Sequence, residues 1–160
     1  MADKTIKRRA AREQAFALLF ELSFHPDASI ASLIENARVE GGEDEDTLRA
    51  IPVEDFALRA AETAASRLEE LDERIAKHLR GWKLSRISRV SLALLRLAAC
   101  ELLWFDDIPA GASINEAVEL AKLYGDEDAP RFINGVLGSI ARAGETQAAA
   151  PQADEPGEEA

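Results

Sequence analysis

The chain is poor in the residues that build metal centres, disulfides and covalent catalysts. It has one cysteine, Cys100, which excludes an internal disulfide framework and any zinc cluster built on cysteines. Its two histidines, His25 and His78, lie far apart with no metal-ligand spacing around either. There is no G-x-G-x-x-G loop, and no nucleophile stands beside a recognisable base, so neither catalysis nor a cofactor is expected. The longest apolar stretch, Val90 to Cys100, is broken by Arg96 and is too short to span a bilayer. No apolar h-region with a small-residue cleavage site follows the charged N-terminus, so no signal peptide is expected. These absences point to the reducing cytoplasm, away from membranes and small-molecule substrates.

What is present suits one globular domain. With 160 residues and 47% hydrophobic content, the chain can bury roughly 70% of its unfolded surface. The net charge of −11 argues against a nucleic-acid partner until its distribution is read. Five carboxylates lie in residues 40–46 (Glu40, Glu43, Asp44, Glu45, Asp46) and five more follow Gly144 (Glu145, Asp154, Glu155, Glu158, Glu159). Taking those ten from −11 leaves −1 for the rest. Residues 1–12 carry Lys4, Lys7, Arg8, Arg9 and Arg12 against Asp3 alone. Screening confines each patch to about 10 Å, so a basic arm can act locally on an acidic body.

No segment alternates as a strand does, and the periodicity is helical throughout, so the fold class is all-α. A first helix is expected over about Thr5 to Phe24, stopped at His25-Pro26. A second covers Ile30 to Val39, followed by a loop at Gly41-Gly42 and the acidic run. Phe56, Leu58, Ala60, Ala64, Leu68, Leu71, Ile75 and Leu79 predict one helix from about Glu54 to His78. Gly81 breaks the chain, with Trp82 plugging the junction. Arg86 to Phe105 is apolar on nearly every side and should be central. Ser113 and Glu116 have capping-box spacing, and Gly125 suits a left-handed C-cap. Asp128 is the expected N-cap of a last helix running to about Arg142. From Gly144 the composition predicts a disordered acidic tail, leaving 1–143 as the folded domain.

Two stretches exceed what packing asks for. At 100° per residue, Arg8, Arg9, Arg12 and Phe20 fall within about 120° on the first helix. Guanidinium groups there can neutralise phosphates and stack on unpaired bases. Phe20 reads either as core or as a stacking platform at the core's edge. The second stretch is Ile108 to Leu137. Asn115 should bond an adjoining loop, and Asn134, set among Phe132, Ile133, Val136 and Leu137, should be buried with a partner. Gly135 and Gly138 have the G-x-x-G spacing of a KH clamp, but their helical flanks favour close helix packing. Asp126-Glu127-Asp128 forms an acidic turn just before Arg131 and Phe132.

Three blocks together resemble the NusB family of bacterial transcription antitermination factors. They are Arg8-Arg9-Ala10-Ala11-Arg12-Glu13 through Leu18-Leu19-Phe20, Ile87 to Leu103 with Leu95-Arg96-Leu97-Ala98-Ala99-Cys100-Glu101-Leu102 at its centre, and Ile108 to Leu137. The resemblance implies two perpendicular three-helix bundles. It implies binding to the boxA element of ribosomal RNA leader transcripts with NusE, a small-subunit ribosomal protein, so that RNA polymerase resists termination. Its implied RNA contacts are Lys7, Arg8, Arg9, Arg12, Phe20, Asp128, Arg131 and Phe132. Arg86 and Arg89 are the implied candidates for contact with NusE. The chain departs from the family at Phe20 and Cys100, where Tyr is common, at Ala129, where Ser is usual, and at Gly138, where Asp is common. A protein adaptor that binds no RNA is an alternative. So is an accessory domain like those fused to ribosomal RNA cytosine methyltransferases, though no cofactor loop follows here.

Overall fold

The computed structural model describes residues 2–40 and 53–154, with side chains described for 8–36 and 53–145. These residues form seven α-helices: α1 (Ala2–Phe24), α2 (Ile30–Glu40), α3 (Asp55–Ser66), α4 (Leu68–Ala76), α5 (Arg89–Trp104), α6 (Ala110–Tyr124) and α7 (Ala129–Asp154). A 3₁₀ turn, Leu84–Arg86, precedes α5. Helices α1–α3 pack on one another as one bundle, and α5–α7 as a second set across it. Helix α5 touches both, as its all-round apolar sequence predicts. Nine consecutive residues, Ala93 to Glu101, are buried on it. Burying each leucine among them contributes about 1.5–3 kcal/mol before entropy is counted.

Helix α1 ends at Phe24, where His25-Pro26 stops it. Ser29 accepts the backbone N–H of Ser32 at 3.0 Å and opens α2. Ser88 does the same for α5, accepting from Ser91 at 3.1 Å. The expected loop at 41–46 lies outside the described residues.

The single helix expected over 54–78 is two. At Arg67 the backbone leaves helical geometry (φ −119°, ψ 28°), although hydrogen bonds continue across it. The break re-aims the buried face. Ala57, Ala60, Ala61 and Ala64 bring α3 close to α1, whereas Leu71 and Ile75 seat α4 on α5. The Arg67 guanidinium lies over the Trp104 ring at 4.8 Å.

Several local expectations are corrected. Trp82 plugs nothing: it is 61% exposed. Asn115 and Asn134 are both exposed, because Ile133, Val136, Leu137 and Ile140 take the buried face of α7 and leave Asn134 outside, and Ser113, Ala117 and Leu120 do the same on α6 and leave Asn115 outside. Gly125 is extended (φ −94°, ψ 177°) and makes no left-handed cap. Its need is space, since a Cβ would lie 2.6 Å from Ala129 Cβ and 2.9 Å from the Ala121 carbonyl oxygen. Gly135 and Gly138 mark no helix–helix contact. A Cβ on Gly135 would meet nothing within 4 Å, and one on Gly138 only the Arg142 guanidinium. Helix α7 continues past Arg142 to Asp154 through alanine-rich sequence of high helix propensity. The acidic tail expected to be disordered falls mostly on 146–160, which lie wholly or in their side chains outside the described residues.

Candidate nucleic-acid interface

The basic face of α1 is mostly spoken for within the fold. Arg9 is 56% exposed at its side chain, yet Nε and Nη2 donate to the two Glu116 oxygens at 3.0 and 2.9 Å. That bond and the Glu116 charge push its pKa above the ordinary arginine value. Arg12 turns inward and is only 5% exposed. Its Nε donates to Glu101 Oε2 at 3.0 Å and its Nη2 to Oε1 at 2.8 Å. Ser113 Oγ donates to the same Oε1 at 2.6 Å. The expectation that Arg12 meets a phosphate is therefore corrected: its guanidinium joins α1 to α5 and α6. Arg8 is half-buried, with its guanidinium 4.2 Å from the centre of the Phe56 ring. Lys7 lies on α1, and its side chain is outside the described residues.

The same contacts overturn the capping box. Helix α6 begins at Ala110 after Pro109, a turn before Ser113. Both members of the expected box have other partners, Ser113 in Glu101 and Glu116 in Arg9.

Phe20 is half-buried in a row of rings along α1. Tyr124 and Phe16 are 5.2 Å apart, Phe16 and Phe20 6.1 Å, and Phe20 and Phe24 5.1 Å. The row opens to solvent at its ends, Tyr124 and Phe24. Arg89 lies 4.4 Å over the Phe24 ring and donates to the Ser23 carbonyl oxygen. The Tyr124 hydroxyl donates to Glu13 at 3.0 Å.

Three of the remaining expected residues, Arg86, Asp128 and Phe132, meet. An open cleft of about 380 Å³ is lined by Arg86, Asp128 and Phe132, together with Trp82, Ser91 and Asp126. Asp128 stands at the start of α7, where its carbonyl accepts from Phe132 N–H at 3.1 Å and its own N–H donates to the Asp126 carboxylate. Arg131 is exposed on the first turn of α7. Phe132 meets the Trp82 ring edge-on at 6.3 Å. The cleft thus offers one guanidinium, two carboxylates and two aromatic faces, a surface for bases and hydrogen-bond donors.

A NusB family model matches residues 9–142. The chain belongs to the NusB family. It is 40% identical over 135 residues to the transcription antitermination protein NusB of Bacillus subtilis, covering 84% of this chain and 95% of that one. Among solved structures, T. maritima NusB superposes with a TM-score of 0.70 at 33% identity, covering 84% of this chain and 90% of its own. A crystal structure of the antitermination factors NusB and NusE in complex with dsRNA superposes with the same TM-score at 29% identity, over 85% of this chain and 96% of that one.

The sequence did not reveal Glu101 and Glu116 as the partners of Arg12 and Arg9, nor Trp82 as an exposed ring at the cleft. Glu101 and Arg96 carried a signal: a charge inside an otherwise greasy helix needs a partner. Arg96 has one in Asp72, with two bonds of 2.9 and 2.8 Å. No metal-binding group of His, Cys, Asp and Glu occurs among the described residues. No described helix is long and apolar enough to cross a membrane.

Proposed function

We propose that this chain is a cytoplasmic antitermination factor. It binds the boxA element of ribosomal RNA leader transcripts with NusE and works within the RNA polymerase antitermination complex. The observation that carries this reading is the meeting of Arg86, Asp128 and Phe132 at one cleft, with Arg131 beside them in the chain. These residues lie up to 46 positions apart, as Arg86 and Phe132 show. The likeness to a NusB–NusE–RNA assembly supports the same partners here. The role is binding without catalysis. Cys100 is fully buried, and burial pushes its thiol up to about 12, so it is no nucleophile at neutral pH.

One observation favours the adaptor reading instead: Arg9 and Arg12 already have carboxylate partners. The two readings separate in a titration of boxA RNA with and without NusE, using the native chain and the Arg131→Ala and Phe132→Ala variants. RNA capture by the native pair, weakened in both variants, supports antitermination. NusE binding with no RNA capture supports the adaptor.

A further inference from the structure

The cations of this acidic chain are partitioned by place. Among the described side chains, Arg9, Arg12, Arg59, Arg74, Arg96 and Lys122 are paired with carboxylates. Arg8, Arg67 and Arg89 lie over aromatic rings. The described cations with neither partner are Lys77, Arg80, Lys83, Arg86, Arg131 and Arg142. All six fall in two stretches, 77–86 and 131–142.

The two stretches face each other across a second open cavity, of about 430 Å³, which shares Trp82 and Phe132 with the cleft. Arg80, Arg131 and Arg142 line it with His78, Trp82 and Phe132, and no carboxylate does. Arg80 is held there by a backbone that L-residues seldom adopt (φ 48°), followed by Gly81 at φ 90°. Such strain persists where surrounding structure enforces it, and it gathers at functional sites. Arg142 folds back along α7, its guanidinium 3.3 Å from where a Cβ on Gly138 would stand. His78 reports the local field. Its pKa is lowered by desolvation first and then by Arg74, Arg80 and Lys77.

We propose that this cavity is a phosphate track for single-stranded RNA, with Arg80, Arg131 and Arg142 on the backbone and Trp82 as a stacking platform for a base. It extends the transcript's path beyond the cleft, and it rests on the RNA-binding reading above. Three guanidiniums without a carboxylate favour phosphates, and an exposed indole held at one edge favours an unpaired base over a duplex. An acidic peptide would use the arginines but leave the indole face idle.

The test is anisotropy of labelled single-stranded boxA RNA bound by the full chain with NusE, for the native protein and Arg80→Ala/Arg142→Ala. Neither side chain is buried, and circular dichroism checks that the fold is kept. The expected result is a loss of affinity of tenfold or more, with the log–log salt slope reduced by about 1.4, at about 0.7 for each phosphate left without its arginine. In a Trp104→Phe background, Trp82 is the sole tryptophan, and its emission should be quenched by RNA. Native RNA binding that the double variant leaves unchanged in affinity and slope overturns the track while sparing the RNA-binding reading. Loss of NusE binding at unchanged RNA affinity overturns it in favour of a protein site. No RNA binding by the native pair overturns both.

Discussion

Arg12 and Glu101, 89 residues apart in the chain, form a two-point ion pair sealed from solvent at the junction of α1, α5 and α6. Ser113 completes the carboxylate's bonding from α6. Removing one member strands the other as an uncompensated buried charge. Arg12→Ala or Glu101→Ala should therefore cost about 3–5 kcal/mol. Replacing the set together, as Arg12→Met/Glu101→Leu/Ser113→Ala, should come close to native stability, because apolar groups of similar size need no partner. Urea unfolding of the three proteins checks this.

The glycines make a contrasting pair. Gly125→Ala drives a Cβ into Ala129 and the Ala121 carbonyl at the α6–α7 joint, and should cost about 1–3 kcal/mol. It should also weaken RNA binding, because the Asp126–Asp128 turn follows directly. Gly135→Ala enters open space inside α7 and should add about 0.5–1 kcal/mol by helix propensity. Thermal melts of both variants decide the signs.

Glu116 competes with any phosphate for Arg9. Glu116→Gln should raise affinity for single-stranded RNA several-fold at low salt and leave the melting temperature nearly unchanged. A fall in affinity would show that Glu116 positions Arg9 rather than masking it.

His78 supplies a pH dependence. Its Nδ1 lies 2.8 Å from Ser139 Oγ, and its folded pKa is below the ordinary 6.5. Folding therefore favours the neutral ring, and below pH 6.5 the unfolded chain binds more protons. This contribution is complete above pH 6.5 and is lost as pH falls through the folded value. Stability measured from pH 7.5 to 5 should drop less in His78→Asn than in the native chain.

Much of the fold was legible in sequence because one signal dominated it. Apolar spacing located α1, α2 and α5 to within a few residues, and Pro26 and Gly81 marked real stops. The break at Arg67 was hidden because the apolar rhythm runs through it; only the choice of alanines for one neighbour and leucines for another distinguishes the halves. At the site, residue types were readable but their partners were not. Arg8, Arg9 and Arg12 look alike along the chain, and only the distant Phe56, Glu116 and Glu101 separate them. Ser113 and Glu116 had capping-box spacing by coincidence, since each answers to a residue far away in sequence. Trp82 looked like core because tryptophans usually are, and its exposure follows from the turn at Arg80 and Gly81.

The most direct measurement is a titration of labelled single-stranded boxA RNA with the native chain plus NusE, set beside a scrambled RNA of equal length. An antitermination factor of this kind should capture boxA in a salt-sensitive way, at least tenfold tighter than the scrambled strand, and tighter with NusE than without. Equal affinity for the two strands, unaffected by NusE, would contradict that role.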